Sequence, residues 1–169
     1  MANLVTGPFE VKWGSVTLTE ISEIEVDYEQ DSEDYQTVQH QTFEVDGPQK
    51  ASVMLTFLAS DTAALRHVLP QNFVANGGVL STGETVAEAN GAIDLTPNNC
   101  TTSDVYRDLD IISCGNPGQV FRLVNARTRV DSVSFDDKLR TVVVKFIGEP
   151  ANNEASIQFF EESSISVVS

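Results

Sequence analysis

Apolar and polar residues alternate along much of the chain, which is the period-2 pattern of strands with one buried face. Apolar residues alternate with acids from Glu23 to Glu29, which predicts a half-buried strand with an acidic outer face. Residues 42–45 then form the returning strand of a hairpin with a long polar tip. The sequence Asp46-Gly47-Pro48 is a turn signal. Residues 51–57 alternate again and predict the next strand.

The first alternating segment, residues 9–18, changes parity at Gly14, and a glycine at such a point indicates a β-bulge. One helix is predicted after residue 60. Ser60 is suited to cap its first turn, and Leu65, Val68 and Leu69 form one apolar face. Pro70 ends the helix.

The middle of the chain, about residues 71–116, is rich in Gly, Asn, Thr and Ser and predicts loops with short strands near 93–95 and 105–112. Regular alternation returns in the last third. It predicts strands over 120–124, 127–135 and 141–147, a turn at 136–138, and a final strand over 156–160 or 165–168. The fold class is therefore mainly β. We expect residues 1–169 to form a single antiparallel β-sandwich or barrel, with one flanking helix and a long early hairpin loop.

Composition and charge exclude several classes of function. The 169 residues are 41% hydrophobic, enough for a core, and the formal net charge is −15. Such a chain lacks the Lys and Arg that a protein wrapping nucleic acid needs. Residues 1–7 have no basic n-region and no segment has the ~20 apolar residues of a membrane span, so neither a signal peptide nor a membrane helix is expected. Cys100 and Cys114 are compatible with one bridge, but without a secretory signal two free thiols are favoured.

Charge is unevenly placed. Residues 13–49 hold ten acids and no Lys or Arg, whereas residues 122–145 hold six of the ten basic residues. These segments are either two solvated strand faces or complementary surfaces, across one sheet or between copies of the chain.

Candidate chemistry is sparse. Asp27, Glu29, Asp31 and Glu33 follow the spacing of an EF-hand loop, but Ser32 stands where its turn needs glycine and Val38 where its closing Glu should be. The acids have no aromatic platform beside them, which disfavours glycosidase chemistry. His40 and His67 have no zinc-site spacing, and no nucleophile elbow or phosphate loop is present. No catalytic, cofactor or metal site is therefore predicted, and the chain is expected not to be an enzyme.

The order of elements resembles the major tail tube proteins of long-tailed bacteriophages. Two stretches carry this resemblance: VKWGSVTLTEISEIEVDYEQDSEDYQTVQHQTFEVDGPQKASVMLTFLASDTAALRHVLP over residues 11–70, with its strand, hairpin, further strand and helix, and ARTRVDSVSFDDKLRTVVVKFIGEP over 126–150, which is similar to the family's closing strands. Together they cover about half of the chain. The pattern is one of element order and not of invariant residues.

The resemblance implies a structural virion protein. Members of the family form rings, usually of six subunits, that stack into a hollow tube, and the related tube proteins of contractile tails and of type VI secretion share the fold. The phage tube conducts the genome into the host. The implied partners are further copies of the chain, other tail proteins such as the tape measure, tail tip and terminator, and DNA that passes without tight binding, with no membrane and no cofactor. The implied location is the virion tail, assembled in the bacterial host cytoplasm.

The resemblance also implies residue roles. Glu23, Glu25 and Asp27 are candidate lumen-lining residues, because carboxylates along the channel repel DNA phosphates. The candidate inter-ring contacts are Glu29, Asp31, Glu33, Asp34, His40, Arg127 and Arg129. The alternative function is a β-sandwich module for capsid decoration or carbohydrate binding, which predicts an exposed aromatic patch.

Overall fold

The computed structural model describes residues 4–5, 7–97, 103–114, 118–136 and 138–162. Ten strands, one α-helix and one short 3-10 helix over Pro70–Asn72 account for most of this part of the chain. The strands are β1 (Phe9–Trp13), β2 (Val16–Leu18), β3 (Ile21–Gln36), β4 (Thr42–Phe57), β5 (Phe73–Val74), β6 (Ala92–Ile93), β7 (Arg107–Ser113), β8 (Gln119–Phe135), β9 (Arg140–Gly148) and β10 (Ile157–Glu161), and α1 is Thr62–Val68.

Eight strands form one antiparallel sheet in the order β2-β1-β7-β8-β9-β4-β3, with β10 also paired to β8, and β5 and β6 form a small separate pair. The long strand β8 connects two layers. Its first half pairs with β7 and β10, whereas its second half pairs with β9. The layers pack on each other as a mainly-β, sandwich-like fold, which confirms the predicted fold class.

The core lies between the two layers. Trp13 of β1 and Phe146 of β9 are both fully buried, with ring centroids 5.8 Å apart in an edge-to-face arrangement. The Trp13 indole Nε1 donates to the Ala126 carbonyl at 3.2 Å, so its polar atom is satisfied inside the core. Helix α1 covers one side of the core with Leu65 and Val68, and its C-cap residue Leu69 is buried beside them, so the predicted apolar face is turned to the core.

Two parity changes in the sequence have opposite structural outcomes. A bulge was predicted at Gly14, but Gly14 lies in the tight turn between β1 and β2. It has a φ of 63°, and a Cβ there would lie 2.7 Å from Arg107 Cδ. Conversely, the predicted strands 120–124 and 127–135 are one strand, β8, in which Asn125 has a φ of 51°. The left-handed residue shifts the side-chain parity without ending the strand.

The early hairpin also differs from its prediction. The acidic segment predicted as a polar tip is regular strand, because β3 and β4 stay paired from Ile21↔Phe57 to Gln36↔Thr42. The predicted turn at 46–48 is wrong for the same reason. Gly47 lies opposite a register shift at Asp31, where a Cβ would come within 3.0 Å of the Asp31 Cβ, so glycine permits the close approach.

Smaller corrections concern the ends of elements. The N-cap of α1 is Asp61, not Ser60, and its side chain accepts a hydrogen bond from the Ala64 N–H at 2.9 Å. Ser60 is buried and donates to the Arg140 carbonyl. The final strand is β10, the first of the two predicted alternatives, and residues 165–168 lie outside the described residues.

Candidate assembly surface

The three candidate lumen residues lie on one face of β3. Glu23, Glu25 and Asp27 are exposed and stand opposite Thr56, Met54 and Ser52 of β4. Directly opposite residues of antiparallel strands point to the same side, so these six share a face that points away from the core, called here the outer face.

The same register carries basic residues onto the outer face. Met54 pairs with Lys145 of β9, and Lys145 pairs with Arg129 of β8, so Glu25, Met54, Lys145 and Arg129 form one row across four strands. Three strand spacings place the backbones of Glu25 and Arg129 roughly 14 Å apart. Among the described residues, none of Glu23, Glu25, Asp27 and Arg129 forms an ion pair. The acidic and basic segments therefore share a face of the sheet without neutralising each other within it.

Arg127 is held within its own chain. Its Nε donates to Glu149 at 2.6 Å, and its guanidinium lies 3.9 Å from Asp104. Tyr106 also donates to Glu149, at 3.0 Å. Partial burial alone would raise the pKa of Glu149, but the hydrogen bonds from Arg127 and Tyr106 and the Arg127 charge lower it below its ordinary value. The Arg127 guanidinium is already engaged by acids of its own chain, whereas Arg129 forms no ion pair among the described residues. Arg127 is therefore a poorer candidate than Arg129 for contact with another subunit.

The sheet of β3, β4, β9 and β8 has two open edges. Strand β3 pairs only with β4, and the second half of β8, from Arg129 to Phe135, pairs only with β9 among the described residues. Both edges keep apolar side chains exposed on the core side of the sheet: Tyr28 is 48% exposed on β3, and Phe135 is 76% exposed on β8. The apolar face of the strand predicted over Glu23 to Glu29 is therefore only partly covered within one chain. Unpaired edges with apolar faces are surfaces that another strand can cover.

The distal part of the β3–β4 hairpin, residues 31–46, is called here the arm. Strand β9 pairs with β4 only over Ala51–Phe57, so the arm extends beyond the sheet. The candidate inter-ring residues of β3 lie along it or at its base: Glu29 is paired with Lys50, Asp31 is at the register shift, and Asp34 is directly opposite Glu44. Two like charges in directly opposed positions are unfavourable and are relieved when a cation approaches.

The remaining arm residues have local roles. Glu33 accepts a hydrogen bond from the Tyr35 hydroxyl at 2.6 Å, which raises the pKa of that hydroxyl. His40 lies in the tip with a φ of 61°, and its backbone N–H donates to the Thr37 carbonyl at 3.0 Å. The aromatic Tyr35 and Phe43 are paired on one face of the arm and half exposed, a feature not anticipated from the sequence. The structure does not bring Arg127 or Arg129 to the arm of the same chain.

Gln71 is a residue that sequence reasoning missed. Its Nε2 donates to the Thr128 carbonyl at 2.8 Å and lies 3.2 Å from the Thr128 hydroxyl, at the point where the open edge of β8 begins. Its Oε1 is buried and has no hydrogen-bond partner among the described residues. No sequence pattern marks such a glutamine, because its partner is 57 residues away.

The structure adds three facts about other predicted features. Trp13 is buried and cannot belong to a surface aromatic patch. Cys114 is exposed and carries no disulfide, whereas Cys100 lies outside the described residues. The described part of the chain contains no cluster of three or more His, Cys, Asp or Glu placed to hold a metal ion, and no helix in it is long and apolar enough to cross a membrane.

No protein-family model and no curated protein matches the chain. Solved structures do match, at low identity. A chain of the sheath-tube complex of PVC, an extracellular contractile injection system, in its extended state aligns with a TM-score of 0.56 and 12% identity over 90% of this chain and 88% of that one. The tube-terminating cap of the anti-feeding prophage aligns with a TM-score of 0.57 and 14% identity over 95% of both chains. The sheath/tube terminator of PVC gives 0.56 and 12%, over 95% of this chain and 98% of that one. The chain therefore shares its fold with tail-related components of contractile injection systems.

Proposed function

We propose that this chain is a structural subunit of a phage tail tube or a closely related injection tube, and that it assembles into rings by pairing the β3 edge of one copy with the β8 edge of the next. The observation that carries the proposal is the complementarity of these two edges. The shared fold with tube and terminator components supports the same class of role.

The directions of the strands suit a ring. Strands β3, β4, β9 and β8 are joined by three successive antiparallel pairings, so β3 and β8 run in opposite directions. When copies are related by rotation about an axis roughly along the strands, β3 of one copy meets β8 of the next as an antiparallel pair. Such a pair continues the hydrogen-bonding pattern of the sheet from subunit to subunit.

The side chains of the two edges are also complementary. On the outer face, β3 carries Glu25 and Asp27 and β8 carries Arg129, without internal ion pairs among the described residues. On the core side, Tyr28 of β3 and Phe135 of β8 are both exposed. Pairing the edges therefore covers apolar surface and brings opposite charges together, which fixes the partner more than it adds affinity.

This arrangement makes the outer face the wall of the channel. Its acids repel DNA phosphates, while Lys50, Lys145 and Arg129 on the same face offset part of that repulsion. The arm projects beyond the sheet, where its acids meet basic residues of an adjoining ring and relieve the repulsion between Asp34 and Glu44. The genome is the proposed cargo, and other tail proteins such as the tape measure, tip and terminator are the proposed partners.

Negative-stain microscopy and light scattering of the purified chain test this function. Rings or tubes are expected as protein concentration rises, or once the tail assembly initiator is added. A strictly monomeric mass at every concentration and salt level, with the initiator present, contradicts the proposal.

A further inference from the structure

Along one backbone edge of β8, the hydrogen-bonding partner changes from β7 to the Gln71 side chain between Ala126 and Thr128. The ladder with β7 ends at the pair Arg107↔Ala126, and two residues later the Gln71 amide donates to the Thr128 carbonyl. Thr128 is only 2% exposed, so this carbonyl cannot rely on bulk water. The Gln71 Nε2–H therefore takes the place of a strand N–H where β7 has left the ladder.

The other half of the same amide lacks a partner. Gln71 Oε1 is buried without a donor among the described residues, an arrangement that costs free energy unless a donor arrives. Beside it lies a groove of about 400 Å³, lined by Leu95, Thr96, Pro97 and the start of the open β8 edge at Arg129 and Val130. A strand that pairs with this edge enters the groove and brings backbone N–H groups to it.

We infer that Gln71 is the positioning residue that sets the register in which β3 of a second copy pairs with β8. This inference rests on the ring assembly proposed above. The Gln71 amide acts as one residue of a strand: Nε2 donates to Thr128 of its own chain, and Oε1 accepts a backbone N–H of the incoming β3. The occupant of the groove is β3 because that edge has the opposite direction, the opposite outer-face charge and an exposed apolar core side.

A fixed register matters because the side-chain period of a strand is two. Because pairing with β4 fixes the faces of β3, a slip of one residue against β8 would set the outer face of one subunit beside the core side of its neighbour, and a slip of two would move the charge pairs apart. Open strand edges otherwise specify register weakly. A side-chain amide fixed at the start of the edge selects the one alignment in which a backbone N–H of β3 meets it.

Disulfide cross-linking of assembled tubes measures the register. In a background with Cys100→Ser and Cys114→Ser, Glu25→Cys on β3 is combined in turn with Arg129→Cys, Ser132→Cys and Ser134→Cys on the outer face of β8. After mild oxidation, non-reducing gels report which pair links neighbouring subunits. With Gln71 intact, one β8 position is expected to dominate.

Gln71→Met keeps the length of the side chain but removes both hydrogen bonds. It is expected to reduce the ratio of the dominant to the next cross-linked position roughly tenfold, the factor that one lost hydrogen bond supplies. Asn72→Leu is the matched control, because Asn72 lines the same groove but donates to Asp94 and not to β8, and it should leave the dominant position unchanged. Where Gln71→Met folds poorly, Gln71→Leu provides the same readout, since its side chain can neither donate to Thr128 nor accept from β3.

The outcomes separate the two proposals. An unchanged dominant position in tubes of a folded Gln71 variant overturns the role of Gln71 and leaves ring assembly standing. Well-formed tubes without cross-links at any of the three positions, in the presence of Gln71, overturn the β3–β8 edge pairing and the role of Gln71 together.

Discussion

Charge reversal at one edge tests the ring contact most directly, because its effect can be undone without restoring the original residue. The basic-β3 variant carries Glu25→Lys and Asp27→Lys. The acidic-β8 variant carries Arg129→Glu and Ser132→Glu, both on exposed outer-face positions. In each variant the two edges have the same sign of charge, so neither should assemble alone. In an equimolar mixture every contact between unlike copies is complementary again, and rings with an even number of subunits should form.

The expected magnitude follows from cross-strand pairs. One opposite-charge pair is worth about 0.2–1 kcal/mol, and a like-charge pair is unfavourable by a similar amount, so reversal changes each pair by roughly 0.5–2 kcal/mol. With one or two pairs at a contact the change is about 1–3 kcal/mol, or roughly 5- to 150-fold in the contact constant, since 1.4 kcal/mol is about tenfold. A closed ring needs every contact, so the reduction in the contact constant multiplies over all the contacts of the ring. The defect should weaken at high salt, because these side chains are exposed to solvent.

Light scattering against protein concentration, with microscopy of the products, is the assay. Glu84→Lys with Glu88→Lys is the control for net charge: it changes the charge as much as the basic-β3 variant does, at exposed loop positions that belong to neither edge strand, and should assemble normally. Far-ultraviolet circular dichroism establishes that each variant is folded. Two results would refute the reasoning: single variants that assemble as well as the unmodified chain, or a mixture of folded variants that stays monomeric.

Three further predictions concern stability and the channel. Phe146→Ala should lower the free energy of unfolding by about 3–5 kcal/mol, because it leaves a cavity against Trp13, and a denaturation midpoint close to that of the unmodified chain would contradict the core described here. Glu149→Gln should cost up to about 1 kcal/mol at neutral pH, a modest value because 42% of the carboxylate side chain is exposed. Since the folded pKa of Glu149 is lowered, its contribution is present above the unfolded pKa and is lost as the pH falls through the folded one; a deficit of Glu149→Gln that persists in acid would exclude this cause. Ser52→Lys adds a positive charge to the outer face away from both open edges, and particles carrying it should assemble but eject DNA more slowly at low salt than particles with Ser52→Asp; equal ejection would show that this face does not line the channel.

The sequence alone determined the local pattern of this protein. Alternation placed Glu23, Glu25 and Asp27 on one face of a strand, because the side-chain period of an extended chain is two wherever the strand lies. It also located the apolar face of α1 and the turn at Asp136, whose carboxylate accepts the N–H groups of Lys138 and Leu139 and therefore has a lowered pKa. These features depend on neighbours in the chain, which a single sequence contains.

Only the tertiary structure decided which partner each predicted strand or turn hydrogen-bonds with. A change of parity is a turn at Gly14 but a bulge at Asn125, and the acidic segment after Tyr28 is strand rather than loop, because in each case a partner strand supplies or withholds the hydrogen bonds. The open edge of β8 and the amide of Gln71 at its start are likewise set by contacts between residues far apart in the chain. A pattern of side chains specifies which face a strand buries, whereas the hydrogen-bonding groups of the backbone are the same at nearly every residue, so their partners emerge only when the whole sheet is assembled.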